Sequence, residues 1–234
     1  MKAILKRELS SYFNSAVAYI VMAMFFGFSG WFFIGTCFFG NTSSLSPTFN
    51  NMFVIIVFLT PLIAMKSFSE EKRQRTDQAL LTSPASLFEI VMGKFLGAFI
   101  LYAICCLIFF AYGLVISFFT APDWAVIICT TLGLLLMGGA LIAIDIFISA
   151  LTESQVIAAV VGMAIGLVTY MMGTIVSMID VEWIVSALTA IAFTNYYATF
   201  TYGILDPAGI VFFLSVIALF LFFTIRVFER KRWS

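Results

Sequence analysis

Charged residues are concentrated at positions 67–84, SFSEEKRQRTDQALLTSP, where six of the eight residues from Glu70 to Asp77 are charged. Glu70, Glu71 and Arg75 have the spacing E-E-x-x-x-R. This spacing serves proteolysis only when glutamates and histidines act together in one site. The chain has no histidine and no C-x-x-C pair, so it lacks the usual zinc ligands and the base of a Ser-His hydrolase. Gly93-Lys94 is followed by phenylalanine, which excludes a phosphate-binding loop. The sequence therefore predicts a chain that is not itself an enzyme.

The elements that carry this segment are apolar. Hydrophobic residues make up 63% of the 234 residues and charged residues 10%, with a mean hydropathy of +1.12, which excludes a water-soluble globule. Stretches of about 20 apolar residues cross the hydrocarbon layer as helices. We predict an all-α integral membrane protein, a single transmembrane domain over 1–234 with six spans at 16–39, 49–65, 95–119, 124–151, 156–179 and 208–228.

The basic residues predict the orientation. All twelve fall before the first span, between the second and third spans, or at the end of the sixth span. Six spans bring these three places to one side, and the positive-inside rule makes that side cytoplasmic. We therefore expect a multi-pass protein with both termini in the cytoplasm.

The amino-terminal residues 1–15 have helical amphipathic spacing. Ile4, Leu5 and Leu9 alternate with Lys6 and Arg7 at the helical repeat, a pattern typical of a helix lying in the membrane interface. This interfacial elbow helix either shapes the inner rim of the molecule or serves only as a topological anchor.

The segment 66–94 is predicted to be an ordered cytoplasmic helical hairpin. Ser67 and Glu70 have capping-box spacing, and so do Ser86 and Glu89. Glu71 and Arg75 are four residues apart in the favourable order. Pro84 ends the first helix, because the residue before proline avoids the helical region.

Three motifs carry a resemblance to a known family. They are F-S-E-E-K-x-x-x-T, then A-L-L-T-S-P, then E-I-V-M-G-K-F, all within residues 68–95. Together with the amino-terminal K-A-I-L-K-R-E-L, the S-A-L-T-E-S-Q turn at 149–155 and six spans in about 230 residues, they resemble ABC-2-type ABC transporter permeases, particularly the gliding-motility-associated branch.

The resemblance implies that the hairpin is a coupling helix that docks on a separate ATPase. It implies contact roles for the following residues: Glu70, Glu71, Lys72, Arg75, Thr76, Leu80, Leu81 and Pro84. It also implies two copies of an ABC ATPase subunit that bind ATP and Mg, no cofactor in this chain, a second permease copy or a paralogue, and a place in the bacterial cytoplasmic (inner) membrane. Outer accessory proteins and membrane lipid are further expected partners, and nucleic acid is not. The alternative for the hairpin is a position in the lipid headgroups.

Asp145 is the ionisable residue that lies deepest in the predicted spans. A carboxylate at membrane depth is costly and indicates function by default. Asp145 is about two turns from the cytoplasmic end of its span, where water or a basic partner such as Lys94 can reach it. A gating or substrate role and a structural ion pair or hydrogen bond both remain open.

Span five carries small residues at four-residue spacing: Ala158, Gly162 and Gly166. Small residues in this pattern allow close helix approach, so this face predicts either internal packing or a subunit interface. The outer segment 179–207 is long and aromatic. We expect short helices that dip into the outer leaflet as part of an outer gate, or a simple aromatic belt.

Two function classes fit these features well, and a third fits them poorly. The first is the membrane subunit of an ABC transporter, an exporter powered by a separate ATPase. The second is a non-transporting scaffold or mechanical unit that uses the ATPase to act on outer partners. A secondary carrier is disfavoured, because it would ordinarily need several ion-coordinating residues within the spans.

Overall fold

The structure is a computed structural model that describes residues 2–40, 42, 44–73, 86–179 and 181–232. This part of the chain is helical and contains no strand. Its helices are α1 (Lys2–Phe13), α2 (Ala16–Phe33, continued by the π-helical segment Ile34–Phe39), α3 (Ser46–Ala64), α4 (Ser69–Arg73), α5 (Leu87–Cys106), α6 (Ile108–Ser117), α7 (Trp124–Leu151), α8 (Gln155–Val176), α9 (Glu182–Ile191), α10 (Phe193–Thr201) and α11 (Pro207–Arg232).

Six helical stretches are long and apolar enough to cross a membrane, which confirms the predicted all-α membrane fold. They are Ala16–Phe39, Ser46–Arg73, Leu87–Ser117, Trp124–Leu151, Gln155–Val176 and Pro207–Arg230. The second and third stretches are longer than the sequence predicted, because α3 begins before Phe49 and α5 begins at Leu87.

Short polar side chains start four of the spans. Ser15, Ser86, Asp123 and Ser154 each accept a hydrogen bond from a backbone N–H in the first turn of the helix that follows. Such caps satisfy amide groups that have no partner within the helix. The cap predicted at Ser86 is confirmed, since its hydroxyl accepts from the Glu89 N–H at 3.2 Å.

Helix α7 is the central element of the bundle. In its most apolar window 78% of the residues are buried, against 28% in α8 and 22% in α11. The Tyr102 hydroxyl of α5 donates to the Leu134 carbonyl of α7 at 2.8 Å. Gly133 and Gly138 leave room for the rings of Phe200 and Tyr102. Movement of α7 would therefore require its neighbours to repack.

The small-residue face of α8 packs inside this chain. Ala158, Gly162 and Gly166 are all buried. A Cβ at Gly166 would lie 2.7 Å from Val57, and one at Gly162 would lie 3.0 Å from the Pro61 ring. This face is occupied by α3 and α7, so a subunit interface on α8 would have to use its exposed opposite side.

Two short helices, α9 and α10, occupy the segment before α11. Trp183 and Tyr202 are exposed, as residues of an aromatic belt would be. Tyr197 differs from that expectation, since it is 2% exposed and its hydroxyl donates to the Phe49 carbonyl at 3.1 Å. Tyr197 thus anchors α10 to the start of α3 instead of facing lipid.

Candidate functional site

The elbow helix α1 packs directly against α5 at one end of the bundle. A Cβ at Gly93 would lie 2.8 Å from Ile4, and a Cβ at Gly97 would lie 3.0 Å from the Cβ of Glu8. Two glycines one turn apart therefore let α1 approach the α5 backbone closely. In the sequence, the G-K-F-L-G spacing of residues 93–97 is the signal for this close approach.

This close approach forms a cluster of four charged side chains, Arg7, Glu8, Glu71 and Lys94, which we call the ion-pair cluster. The Lys94 Nζ lies 2.8 Å from Glu71 Oε1 and 3.3 Å from Glu8 Oε1. Arg7 Nη2 lies 3.0 Å from Glu8 and 3.5 Å from Glu71. The Lys94 side chain is 2% exposed, so its charge depends on these carboxylates for compensation. The cluster joins α1, α4 and α5.

The ion-pair cluster corrects the expectation that Lys94 serves Asp145. Within the described part of the chain, both ion pairs of Lys94 are made with Glu8 and Glu71. The Nζ also lies 5.0 Å from the centre of the Phe68 ring, within cation–π distance. Glu8 was not singled out from the sequence, because its proximity to Lys94 depends on how α1 packs.

Ser149 of α7 forms hydrogen bonds with the segment that links α3 to α4. Its hydroxyl accepts hydrogen bonds from the Phe68 and Ser69 N–H groups, both at 3.1 Å, and donates to the Met65 carbonyl at 3.1 Å. The sequence predicted that Ser67 would cap this helix. The cap instead comes from a residue 80 positions away, and the Ser67 hydroxyl lies 3.4 Å from the Tyr12 hydroxyl.

Lys72 makes the second attachment of α4 to α7. Its Nζ donates to the Ala150 carbonyl, and the residue is buried. Carbonyls in the last turn of a helix have no intrahelical donor and carry the negative end of the helix dipole, so an ammonium group is favourable there. Helix α4 is therefore attached to α7 through both its backbone and a charged side chain.

Tyr12 ties the elbow helix to the end of α3. Its hydroxyl donates to the Ile63 carbonyl at 3.1 Å. Burial, more than the nearby Glu8 carboxylate, raises the pKa of Tyr12 to about 12 despite the opposing hydrogen bond with Ser67. The phenol is therefore neutral at physiological pH and remains a hydrogen-bond donor.

The residues predicted to contact an ATPase separate into two groups. Glu70 is half-buried and Arg73 beside it is exposed, whereas Glu71 and Lys72 are engaged within the chain by α5 and α7. Arg75, Thr76, Leu80, Leu81 and Pro84 lie outside the described residues. A contact role therefore stays a prediction for Glu70 and for the segment 74–85, and the inward positions of Glu71 and Lys72 favour a linking role.

Asp145 lies apart from this site, between α7, α3 and α8. It is 4% exposed, its Oδ1 is in contact range of Gly162, and Thr60 faces it from α3. No basic side chain in the described part of the chain pairs with Asp145. The structural ion pair considered from the sequence is therefore not formed with Lys94.

The site consists of hydrogen bonds and ion pairs that join several helices. Among residues 2–40, 42, 44–73, 86–179 and 181–232 there is no group of three or more His, Cys, Asp or Glu side chains that could hold a metal ion. The short helix α4 is joined to α5 and α7 by buried or partly buried polar contacts and to α1 by an exposed contact between Arg7 and Glu71.

Comparison with known proteins agrees with this architecture. No curated protein matches the sequence significantly. The sequence profile described as ABC-2 family transporter protein matches residues 41–227, which is most of the chain and includes α3 to α10 and most of α11. The chain therefore belongs to the ABC-2 transporter family, as a multi-pass membrane permease component that pairs with an ABC ATPase subunit.

Proposed function

We propose that the chain is the permease of an exporter and that the ATPase subunit docks on α4 and the segment 74–85. Energy reaches the permease as a displacement of α4 when the ATPase changes its nucleotide state. In the complete transporter, two ATPase copies bind ATP and Mg, and a second permease copy or a paralogue completes the pathway. The resemblance to the gliding-motility-associated branch leaves the exported substrate open.

The observation that carries this proposal is the attachment of α4 on two sides. On one side Ser149 and Lys72 connect it to the carboxyl end of α7. On the other side Glu71 connects it to Lys94 and Arg7. A freely hinged loop would dissipate a push from outside, whereas a helix held by buried hydrogen bonds and ion pairs passes it on.

Docking and transmission fall to different residues in this proposal. Glu70 and Arg73, which reach the surface, contribute charges that a complementary ATPase groove can bind. Glu71 and Lys72 hold α4 to the bundle. Their side chains would not need to touch the ATPase at all.

The site is proposed to face the cytoplasm of a bacterium, with the protein in the inner membrane and both termini inside. The support is the distribution of lysine and arginine, all of which lie before span one, between spans two and three, or at the end of span six. The ATPase and its nucleotide are on this side of the membrane, so the docking helix must be there too.

The experiment separates docking from transmission in the purified permease–ATPase complex. The double variant Glu70→Ala, Arg73→Ala should reduce the amount of ATPase that co-purifies with the tagged permease. Glu71→Gln should leave the ATPase bound but uncouple its turnover from transport in proteoliposomes. Glu229→Ala is the matched control, because Glu229 is a partly exposed carboxylate in an ion pair on α11 that does not involve α4.

Two results would contradict the proposal. Undiminished ATPase binding by the Glu70, Arg73 double variant would remove docking from α4. Normal coupling in Glu71→Gln would remove transmission through the ion-pair cluster. A complex that hydrolyses ATP normally yet moves no substrate would instead favour the scaffold function.

A further inference from the structure

A cleft separates the elbow helix from the ends of α2 and α3, and we call it the elbow cleft. Its volume is about 720 Å³, and its lining includes Arg7, Tyr12, Val17, Leu62, Lys66 and Glu70. The proposed ATPase contacts lie at one margin, but most of the cleft lies between α1 and the spans.

The cleft has polar and apolar parts on different elements. Val17, Leu62 and Ile63 line it from α2 and α3, while Arg7 and Ser11 line it from α1 and Lys66 lines it from just after the end of α3. The cleft therefore has an apolar wall on the spans and a polar wall on α1 and the end of α3. Glycerophospholipids have the same two parts, with acyl chains at one end and a phosphodiester at the other.

The charges on the described residues that line the elbow cleft are balanced. Three cationic side chains, Arg7, Lys66 and Lys94, and three carboxylates, Glu8, Glu70 and Glu71, line it. A polyanionic ligand would be repelled by the carboxylates. A headgroup that carries one phosphate and one ammonium group would match both signs.

Lys66 is the cation available to a ligand. Arg7 and Lys94 are paired with Glu8 and Glu71, whereas Lys66 makes no ion pair with any residue that the structure describes. It is half-buried at the end of α3, with the Ser67 hydroxyl also in the lining. An ammonium and hydroxyl groups are the donors that phosphate oxygens accept from.

We propose that the elbow cleft binds a zwitterionic phospholipid of the phosphatidylethanolamine class. The Lys66 ammonium binds the phosphodiester, the carboxylate-lined wall of the cleft faces the ethanolamine ammonium, and an acyl chain lies along Val17 and Leu62. The bound lipid fills the space between α1 and α3. This inference rests on the cleft itself and not on the proposed ATPase docking.

The test uses the purified full-length chain in detergent, without the ATPase, and native mass spectrometry with added phosphatidylethanolamine. Because a charge-assisted hydrogen bond to phosphate is lost, Lys66→Gln should retain roughly tenfold less lipid than the wild type. Lys6→Gln is the control, since Lys6 is an exposed lysine of α1 outside the cleft lining. It should bind like the wild type.

Two further arms identify the ligand on the wild-type protein, so that they do not depend on whether a variant folds. Phosphatidylglycerol, which lacks the ammonium group, should be retained severalfold less than phosphatidylethanolamine. Glycerophosphoethanolamine, which has the headgroup without acyl chains, should not compete. Equal retention of the two lipids, competition by the free headgroup, or unchanged lipid binding by Lys66→Gln would each overturn the proposal. Since no ATPase is present, these results are independent of the docking experiment.

Discussion

The Nζ of Lys94 lies 2.8 Å from Oε1 of Glu71, and the lysine side chain is 2% exposed. The same kind of contact, 2.7 Å long, joins Arg226 to Glu229, but there the side chains are 63% and 40% exposed. The two ion pairs have similar N–O distances but differ in burial, so the energetic cost of breaking them differs. Water solvates the second pair when it is broken, whereas loss of the first pair leaves the buried Lys94 ammonium with the longer contact to Glu8.

The first prediction concerns this difference in burial. Lys94→Met removes the buried cation that Glu8 and Glu71 share, while Arg7 still contacts both carboxylates, so the free energy of unfolding should fall by about 1–3 kcal/mol. Arg226→Met should change it by less than about 0.5 kcal/mol, because its pair is exposed and local. Thermal unfolding of both variants in the same detergent measures the contrast.

A double-mutant cycle tests whether Lys94 and Glu71 interact in the folded protein. Combining Lys94→Met with Glu71→Gln should cost less than the sum of the two single changes, because each change by itself already removes the contact between the two side chains. Strict additivity would mean that the two side chains do not interact in the folded protein.

Ser149 is the subject of the second prediction. Ser149→Ala removes the acceptor for two buried N–H groups, Phe68 and Ser69, and each unsatisfied group costs about 1–3 kcal/mol. We expect a lower midpoint of thermal unfolding and, in the ATPase complex, hydrolysis that no longer responds to substrate. Ser215→Ala is the control, because its hydroxyl donates only to Val211 of its own helix. Equal behaviour of the two alanine variants would show that Ser149 does not hold α4.

The third prediction concerns the contact between α8 and Asp145. Gly162→Ala places a methyl group against Asp145 Oδ1 and the Pro61 ring, and overpacking of this kind costs about 1–3 kcal/mol. Gly27→Ala is a matched control, because nothing lies within 4 Å of the added Cβ, and it should be neutral or slightly stabilising. Thermal unfolding checks both. A tolerated Gly162→Ala would show that α8 can move away from α7 without penalty.

Asp145→Asn then distinguishes structure from gating. Removal of a carboxylate that has no basic partner among the described residues should raise the midpoint of thermal unfolding, because burying that charge is costly. If Asp145 takes part in gating or in the substrate path, the same variant should lose transport activity. A variant that is both stable and fully active would dismiss the functional role.

Hydropathy alone was enough to predict the six spans, because apolar length is a local property of the sequence. The contacts that organise the site are not local. Glu8 meets Lys94 across 86 positions and Ser149 meets Phe68 across 81, and their proximity depends on helix packing that the sequence does not display. Local capping logic worked at Ser86, where the cap is within the same segment, and was wrong at Ser67, where α7 supplies the hydroxyl.

The last prediction is the alkaline sensitivity of the elbow helix, which depends on Tyr12. In the unfolded chain a tyrosine has a pKa near 10, and burial raises the pKa of Tyr12 in the folded protein to about 12. Below pH 9 the phenol is neutral in both states, so the stability difference between the wild type and Tyr12→Phe should not change with pH. Above pH 10 the unfolded state releases the proton while the folded state retains it, so wild-type stability must fall as pH rises. Thermal unfolding of both proteins at pH 7, 9 and 10.5 measures this, and a constant difference up to pH 10.5 would mean that Tyr12 is solvated and that α1 is not docked on α3.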